Sequence, residues 1–154
     1  MYLAVDIGGT KTLVASFDGS GKKLSESQFP TNSNYSDFIA ELEENVKGLK
    51  VQNFSAGCVG CPGRLDRENG IGLAFGNLDW RNVPIQPDVE RIINAPVVIE
   101  NDAKLAGLYE ARQIINDFNK VLYVTISTGI GTGVIIDGAI DKELQDFEGG
   151  SVLL

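Results

Sequence analysis

Two short apolar runs open the chain, Leu3 to Ile7 and Leu13 to Phe17; the first stops at Gly8-Gly9-Thr10 and the second at Asp18-Gly19-Ser20-Gly21. Runs of that length bounded by turn residues predict two strands joined by a glycine turn. From Lys22 to Phe29 apolar and polar positions mix as in a strand returning from the second turn, closing a β-meander before Pro30. Phe38, Ile39, Leu42, Val46 and Leu49 then recur at the spacing of one helix face, with Ser36 as N-cap and Gly48 at the C-terminal end.

A strand is predicted around Phe54 to Val59, followed by a long loop to Pro84 punctuated by Gly, Pro and Asn, a length that usually carries function. Asp88 to Ile93 reads as a short helix ended by Pro96, and Val97 to Ile99 as a strand leading into Glu100-Asn101-Asp102. Ala103, Ala106, Leu108, Ala111 and Ile115 form good helical sequence directly afterwards. Asp102 therefore sits near a helix N-terminus, where the dipole favours an ionised carboxylate. Val121 to Ser127 is almost continuously apolar, as expected of a central strand. Gly131 to Ile136 is another strand, Thr128 to Gly133 spans the turn between them, and Asp137-Gly138 adds a tight turn. Strands alternating with helices after a meander predict a mixed α/β sheet.

The length of 154 residues suits one compact unit with a core of its own. A net charge of -8 repels nucleic acid and anionic membrane surfaces. Any polyanionic nucleotide must then be held by backbone amides and a metal ion, not by a basic field. Apolar runs fall short of the roughly 18 residues that span a bilayer, and no secretion signal is visible, so a cytoplasmic setting is expected. Cys58 and Cys61 have the spacing of a redox or half-zinc pair. With no histidine and a Pro62-Gly63 turn directly after, reduced structural thiols are the expectation.

Two glycine segments carry the candidate chemistry. Asp6-Ile7-Gly8-Gly9-Thr10-Lys11 puts an acid at a strand end, glycines that let amides approach a ligand, then a hydroxyl and an amine. Those groups suit a phosphate and a water-bridged magnesium ion, while an ordinary hairpin turn would use Gly-Gly equally well. Thr128-Gly129-Ile130-Gly131-Thr132-Gly133 offers a second turn of small residues. Neither matches the P-loop or the dinucleotide-binding loop.

In this order of motifs the chain resembles the ROK family (repressor, open reading frame, kinase) of the actin-like ATPase superfamily. Asp6 to Lys11 looks like its first phosphate motif, and Gly60-Cys61-Pro62-Gly63-Arg64-Leu65-Asp66 like its sugar-side Gly-x-Pro-Gly loop. Asn77-Leu78-Asp79-Trp80 resembles its Asn-Leu-x-x-Trp segment, Glu100-Asn101-Asp102-Ala103 its catalytic motif, and Thr128 to Gly133 its second phosphate loop. The resemblance implies a ribonuclease-H-like N-terminal lobe over residues 1–154 of an ATP- and magnesium-dependent sugar kinase, glucokinase-like or N-acetylhexosamine kinase-like, whose second lobe is absent from this chain. It implies Asp102 as general base, with Asn77, Asn101, Gly63 and Glu148 on the sugar. Asp6, Gly8, Gly9, Thr10, Lys11, Thr128, Gly129, Gly131 and Thr132 would then serve the nucleotide and its metal.

One position departs from the family pattern. Ser151 stands where the family usually has a histidine that contacts the sugar and, in many members, ligates zinc. A hydroxyl can hydrogen-bond a sugar but is a poor zinc ligand, so no structural zinc is expected. Trp80 as a core aromatic, Asp102 as a helix cap and Glu148 as a solvated acid are the plain structural alternatives, and Arg64, Asp66 and Arg67 read as a solvated loop. The alternative function is a sugar-sensing module of the family's repressor type. Those proteins carry a helix-turn-helix before the Asp-x-Gly-Gly segment, whereas here the first strand starts within two residues of Met1. The apolar end Val152-Leu153-Leu154 leads to the expectation of a truncated chain, a split gene product or a degenerate kinase, with a natural terminus tucked into a sheet as the plain alternative. The surface normally covered by the absent half would favour a homodimer, and the lobe alone is expected to be nearly inactive because phosphate alignment needs both lobes.

Overall fold

The computed structural model describes residues 1–126 and 130–147. The chain divides into two compact units, Met1–Glu100 and Asn101–Leu154, against the single unit that its length suggests.

The first unit is built on a five-stranded sheet in the order β3-β2-β1-β4-β8. Its strands are β1 (Tyr2–Ile7), β2 (Lys11–Phe17), β3 (Lys23–Pro30), β4 (Ala56–Cys61) and β8 (Val97–Asn101). The first three form the expected antiparallel meander, with an irregularity at Ser16/Phe17, and β1 pairs parallel with β4. Alternation decides the core: Leu3, Val5 and Ile7 of β1 and Val59 and Cys61 of β4 are buried in one cluster with residues of two helices. These are α1 (Tyr35–Lys47), contributing Phe38, Ile39, Leu42 and Val46, and α2 (Ile85–Ile93), contributing Ile85, Val89 and Ile93.

Three local readings are corrected. The N-cap of α1 is Asn34, whose side chain accepts from the Asp37 amide, and not Ser36. Both residue types cap equally well, so only geometry separates them. Helix α2 starts at Ile85 and ends before Asn94, which takes the left-handed conformation at φ 50, so the stop comes two residues ahead of Pro96. The stretch to Pro84 is not one loop. It contains a small antiparallel sheet in the order β5-β6-β7, formed by β5 (Arg64–Asp66), β6 (Ile71–Ala74) and β7 (Arg81–Val83).

In the second unit α3 (Asp102–Gln113) packs on β9 (Lys120–Ile126) and β10 (Ile130–Ile136), with β11 (Ala139–Ile140) completing the sheet order β11-β10-β9. The helix stops short of Ile115, which is 42% exposed. Among the described residues β9 is an edge strand and alternates between exposed and half-buried positions, so its apolar composition misled the expectation of a central strand. No helix among the described residues is long and apolar enough to cross a membrane.

Candidate functional site

Asp6 lies one residue before the end of β1, in register with Leu13 on β2 and with Gly60 on β4, so one strand neighbour carries no side chain. The turn that follows is fixed by its backbone: the Gly8 amide donates to the Lys11 carbonyl at 2.9 Å. Thr31 braces it from the end of β3, its hydroxyl donating to the Gly8 carbonyl at 2.8 Å and its amide to the Thr10 carbonyl at 3.1 Å. A Cβ on Gly9 would come within 2.9 Å of Asn77 Cβ, so a residue with no side chain is what lets Asn77 close on the turn. The side chains of Thr10 and Lys11 stay exposed.

Asn77 is exposed between buried anchors. Leu78 is 5% exposed, and Trp80 at 2% is the core aromatic of the structural alternative. The Trp80 ring lies 4.6 Å from Phe38, 5.3 Å from Tyr35 and 5.4 Å from Phe75, and its indole N–H donates to the Ser33 carbonyl. Arg81 donates to the carbonyls of Leu78 and Trp80, closing the segment on itself. The Gly-x-Pro-Gly loop is equally constrained: Gly63 has φ +94, and a Cβ there would sit 2.1 Å from the Ala74 carbonyl oxygen. No other residue type fits that approach.

The reading of Arg64, Asp66 and Arg67 as a solvated loop is corrected: Arg64 is exposed but it and Asp66 lie on β5, and Asp66 and Arg67 are only partly exposed. Asp66 accepts from both the amide and the side chain of Asn69, bonds that hold its carboxyl below the ordinary value. Arg67 reaches Glu100 on β8, with Nε at 3.1 and 2.9 Å from the two carboxylate oxygens and Nη2 at 2.5 Å. Sequence reasoning missed this pair, because nothing local links residues 33 apart. Cys58 and Cys61 are not disulfide-bonded, and burial, then the Glu100 charge, push the Cys58 thiol up. Among the described residues no group of three or more His, Cys, Asp or Glu could hold a metal ion.

In the second unit Asn101 is the N-cap of α3, its Oδ1 accepting from the Lys104 amide at 3.2 Å, and Asp102 is the first helical residue. An Asp102 carboxylate oxygen accepts from the Ala103 amide at 2.8 Å, and the side chain remains partly exposed. Thus the carboxylate stands at the N-terminal end of α3, beside the Asn101 cap. The helix start is seated on the glycine strand: a Cβ on Gly131 would lie 2.8 Å from Ala103 Cβ and 3.0 Å from Thr125 Cγ2. Thr132 is turned inward at 5% exposure and donates its hydroxyl to the Phe147 carbonyl at 3.4 Å, tying β10 to the segment before Glu148. Thr128, Gly129, Glu148 and Ser151 lie outside the described residues.

The structure therefore brings Asn77 onto the turn after Asp6 in one unit, and Asp102 with Asn101 onto the Gly131 strand in the other. A family model described as ROK family matches residues 2–144. The glucokinase of Streptomyces coelicolor is 32% identical over 144 residues, covering 92% of this chain and 45% of that protein. A xylose repressor of Caldicellulosiruptor bescii is 34% identical over 94 residues, covering 59% of this chain and 23% of the repressor. Among solved structures, a ROK family glucokinase from Streptomyces griseus in complex with glucose and AMPPNP superposes with a TM-score of 0.80 at 31% identity, over 92% of this chain and 46% of that one. The chain spans about half the length of the curated glucokinases it matches.

Proposed function

Because this chain belongs to the ROK family, we propose that it carries the sugar and catalytic side of an ATP-dependent sugar kinase, acting on glucose or an N-acetylhexosamine. In this reading the sugar hydroxyl oxygen bonds to the terminal phosphorus of ATP, the bond to the departing ADP oxygen breaks, and the hydroxyl proton passes to Asp102. The observation that carries the reading is Asp102 itself: a partly exposed carboxylate on the first residue of a helix whose start is clamped against Gly131. A base seated at a packed helix start meets the requirement of alignment.

Asn77 supports the sugar side of the proposal, since an exposed carboxamide on a segment anchored by Leu78 and Trp80 can hydrogen-bond a hydroxyl without rearrangement. Gly63, Asn101, Glu148 and Ser151 belong to the same proposed sugar set. On the nucleotide side the turn Gly8 to Thr10, with Lys11, would receive phosphoryl oxygens through the Gly9 and Thr10 amides and two exposed side chains, the Gly8 amide being engaged with the Lys11 carbonyl. Thr128, Gly129 and the backbone of Gly131 and Thr132 would serve on the second loop, the Thr132 hydroxyl being turned inward. One carboxylate, Asp6, beside a glycine turn fits magnesium, which keeps several waters and is seldom enclosed by protein ligands. When bound, the ion neutralises charge on the phosphates.

The test has two parts. Glucose or N-acetylglucosamine should raise the melting temperature of the chain, with magnesium nucleotide tested alongside. In a two-lobed ROK protein carrying this chain, Asp102→Asn should lower turnover by about 10²- to 10⁴-fold with sugar binding kept; full turnover in that variant ends the assignment. The 154-residue chain alone is expected to turn over little or nothing, and robust activity from its monomer would contradict the proposed division of labour.

A sugar-sensing module is the second reading, favoured by the repressor among the relatives. It predicts sugar binding with no phosphoryl transfer even in the two-lobed protein, so the same assay separates the two.

A further inference from the structure

We propose that Arg67 and Glu100 are positioning residues, which tie the sugar-side loop to the strand that delivers Asn101 and Asp102; this rests on the kinase reading above. The tie has two contacts on one residue. The Arg67 guanidinium grips the Glu100 carboxylate through Nε, at 3.1 and 2.9 Å, and through Nη2, at 2.5 Å. The thiol of buried Cys61 donates to the Glu100 backbone carbonyl at 3.9 Å. Segment 61–67, which contains the Pro62-Gly63 turn, thus clasps both the side chain and the main chain of the residue directly before Asn101-Asp102.

Both sides of the clasp are braced by local contacts. Arg67 follows buried Leu65, and its neighbour Asp66 closes the hairpin turn on Asn69. Upstream, Gly63 is pressed against the Ala74 carbonyl in a conformation that admits no side chain. Cys61 is the last residue of β4, and Glu100 the penultimate residue of β8.

Burial separates this pair from an ordinary surface contact. The Arg67 and Glu100 side chains are 20% and 14% exposed, against 52% and 49% for the pair Lys23–Glu26. Exposed pairs hold little in place, whereas a desolvated, bidentate guanidinium–carboxylate contact fixes distance and plane together. Lysine could supply the charge but not the planar fork. The Glu100 end of β8, the residue before Asn101 and Asp102 in the chain, is therefore held at two points within the first unit.

The test compares the chain with Arg67→Ala, Arg67→Lys and the apolar double variant Arg67→Met/Glu100→Leu. Dissociation constants for D-glucose and N-acetyl-D-glucosamine are measured well below each variant's melting temperature, with amide exchange at Ala103 and Lys104. The alanine variant should bind sugar about tenfold more weakly, a modest share of what misplacement of a site can cost, and should exchange those amides faster. Arg67→Lys should recover part of both effects. The double variant should recover melting temperature, as apolar replacements of buried pairs often do, without recovering affinity or protection.

If Arg67→Ala lowers only the melting temperature, with affinity and exchange unchanged, the pair is merely structural and the proposal fails. Should that variant not fold, parent-like affinity and exchange in the double variant would overturn it equally. If the parent binds neither sugar, the kinase reading falls, and exchange at Ala103 and Lys104 still decides whether the clasp positions the helix start.

Discussion

In β1 the alternate residues Leu3, Val5 and Ile7 are 2%, 2% and 0% exposed; in β9 the alternate residues Leu122, Val124 and Ile126 are 62%, 49% and 78% exposed. Both strands are apolar runs of similar length, yet the first is covered by α1 and α2 while one face of the second meets solvent. An apolar pattern tells which residues share a face; whether anything covers that face depends on the elements around it. In this chain the cohesive apolar core belongs to the first unit.

Truncation in that core should have the largest effect. Phe38→Ala removes a fully buried ring from between Phe29 and Trp80, and should cost about 3–5 kcal/mol. The denaturant midpoint measures this, and a loss below about 1 kcal/mol would mean that the first unit is not the cohesive one. Next comes Gly131→Ala in the second unit, where the new methyl meets Ala103 and Thr125; about 1–3 kcal/mol and faster amide exchange at the start of α3 are expected. Gly76→Ala, with nothing within 4 Å, serves as its near-neutral control.

Alkaline pH gives a smaller effect confined to the first unit. Tyr35 donates its hydroxyl to Asp88, and burial, then that bond, raise its pKa above the ordinary 10.0. A folded value above the unfolded one means that its stabilisation is complete below pH 10 and is lost as pH rises beyond it. Stability should therefore fall more steeply above pH 10 than in Tyr35→Phe; parallel curves would remove the bond from the account. Smallest of all, Ile126→Ser, at a position 78% exposed, should change stability by less than about 0.5 kcal/mol; a larger shift of the denaturant midpoint would mean that this face of β9 is covered.

The meander and α1 were legible because each run is long enough to show its period: β1 to β3 are six to eight residues, and α1 buries Phe38, Ile39, Leu42 and Val46 at helical spacing. The small sheet was hidden, since Arg64–Asp66 and Arg81–Val83 have three residues each, too few for alternation to register. Asp102 at a helix start could be read locally, from an acid placed between an apolar strand and good helical sequence. The packing of Asn77 on Gly9 and the clasp of Arg67 on Glu100 join residues far apart in the chain, and only folding brings them together.

Trp80 is the single tryptophan of the chain, and it lies three positions after Asn77 in a nearly waterless setting. Its emission is thus a built-in optical gauge, free of interference from any other indole, of the segment that presents Asn77. A ligand arriving there, or water entering as the aromatic cluster loosens, can be followed by colour and intensity with no dye attached.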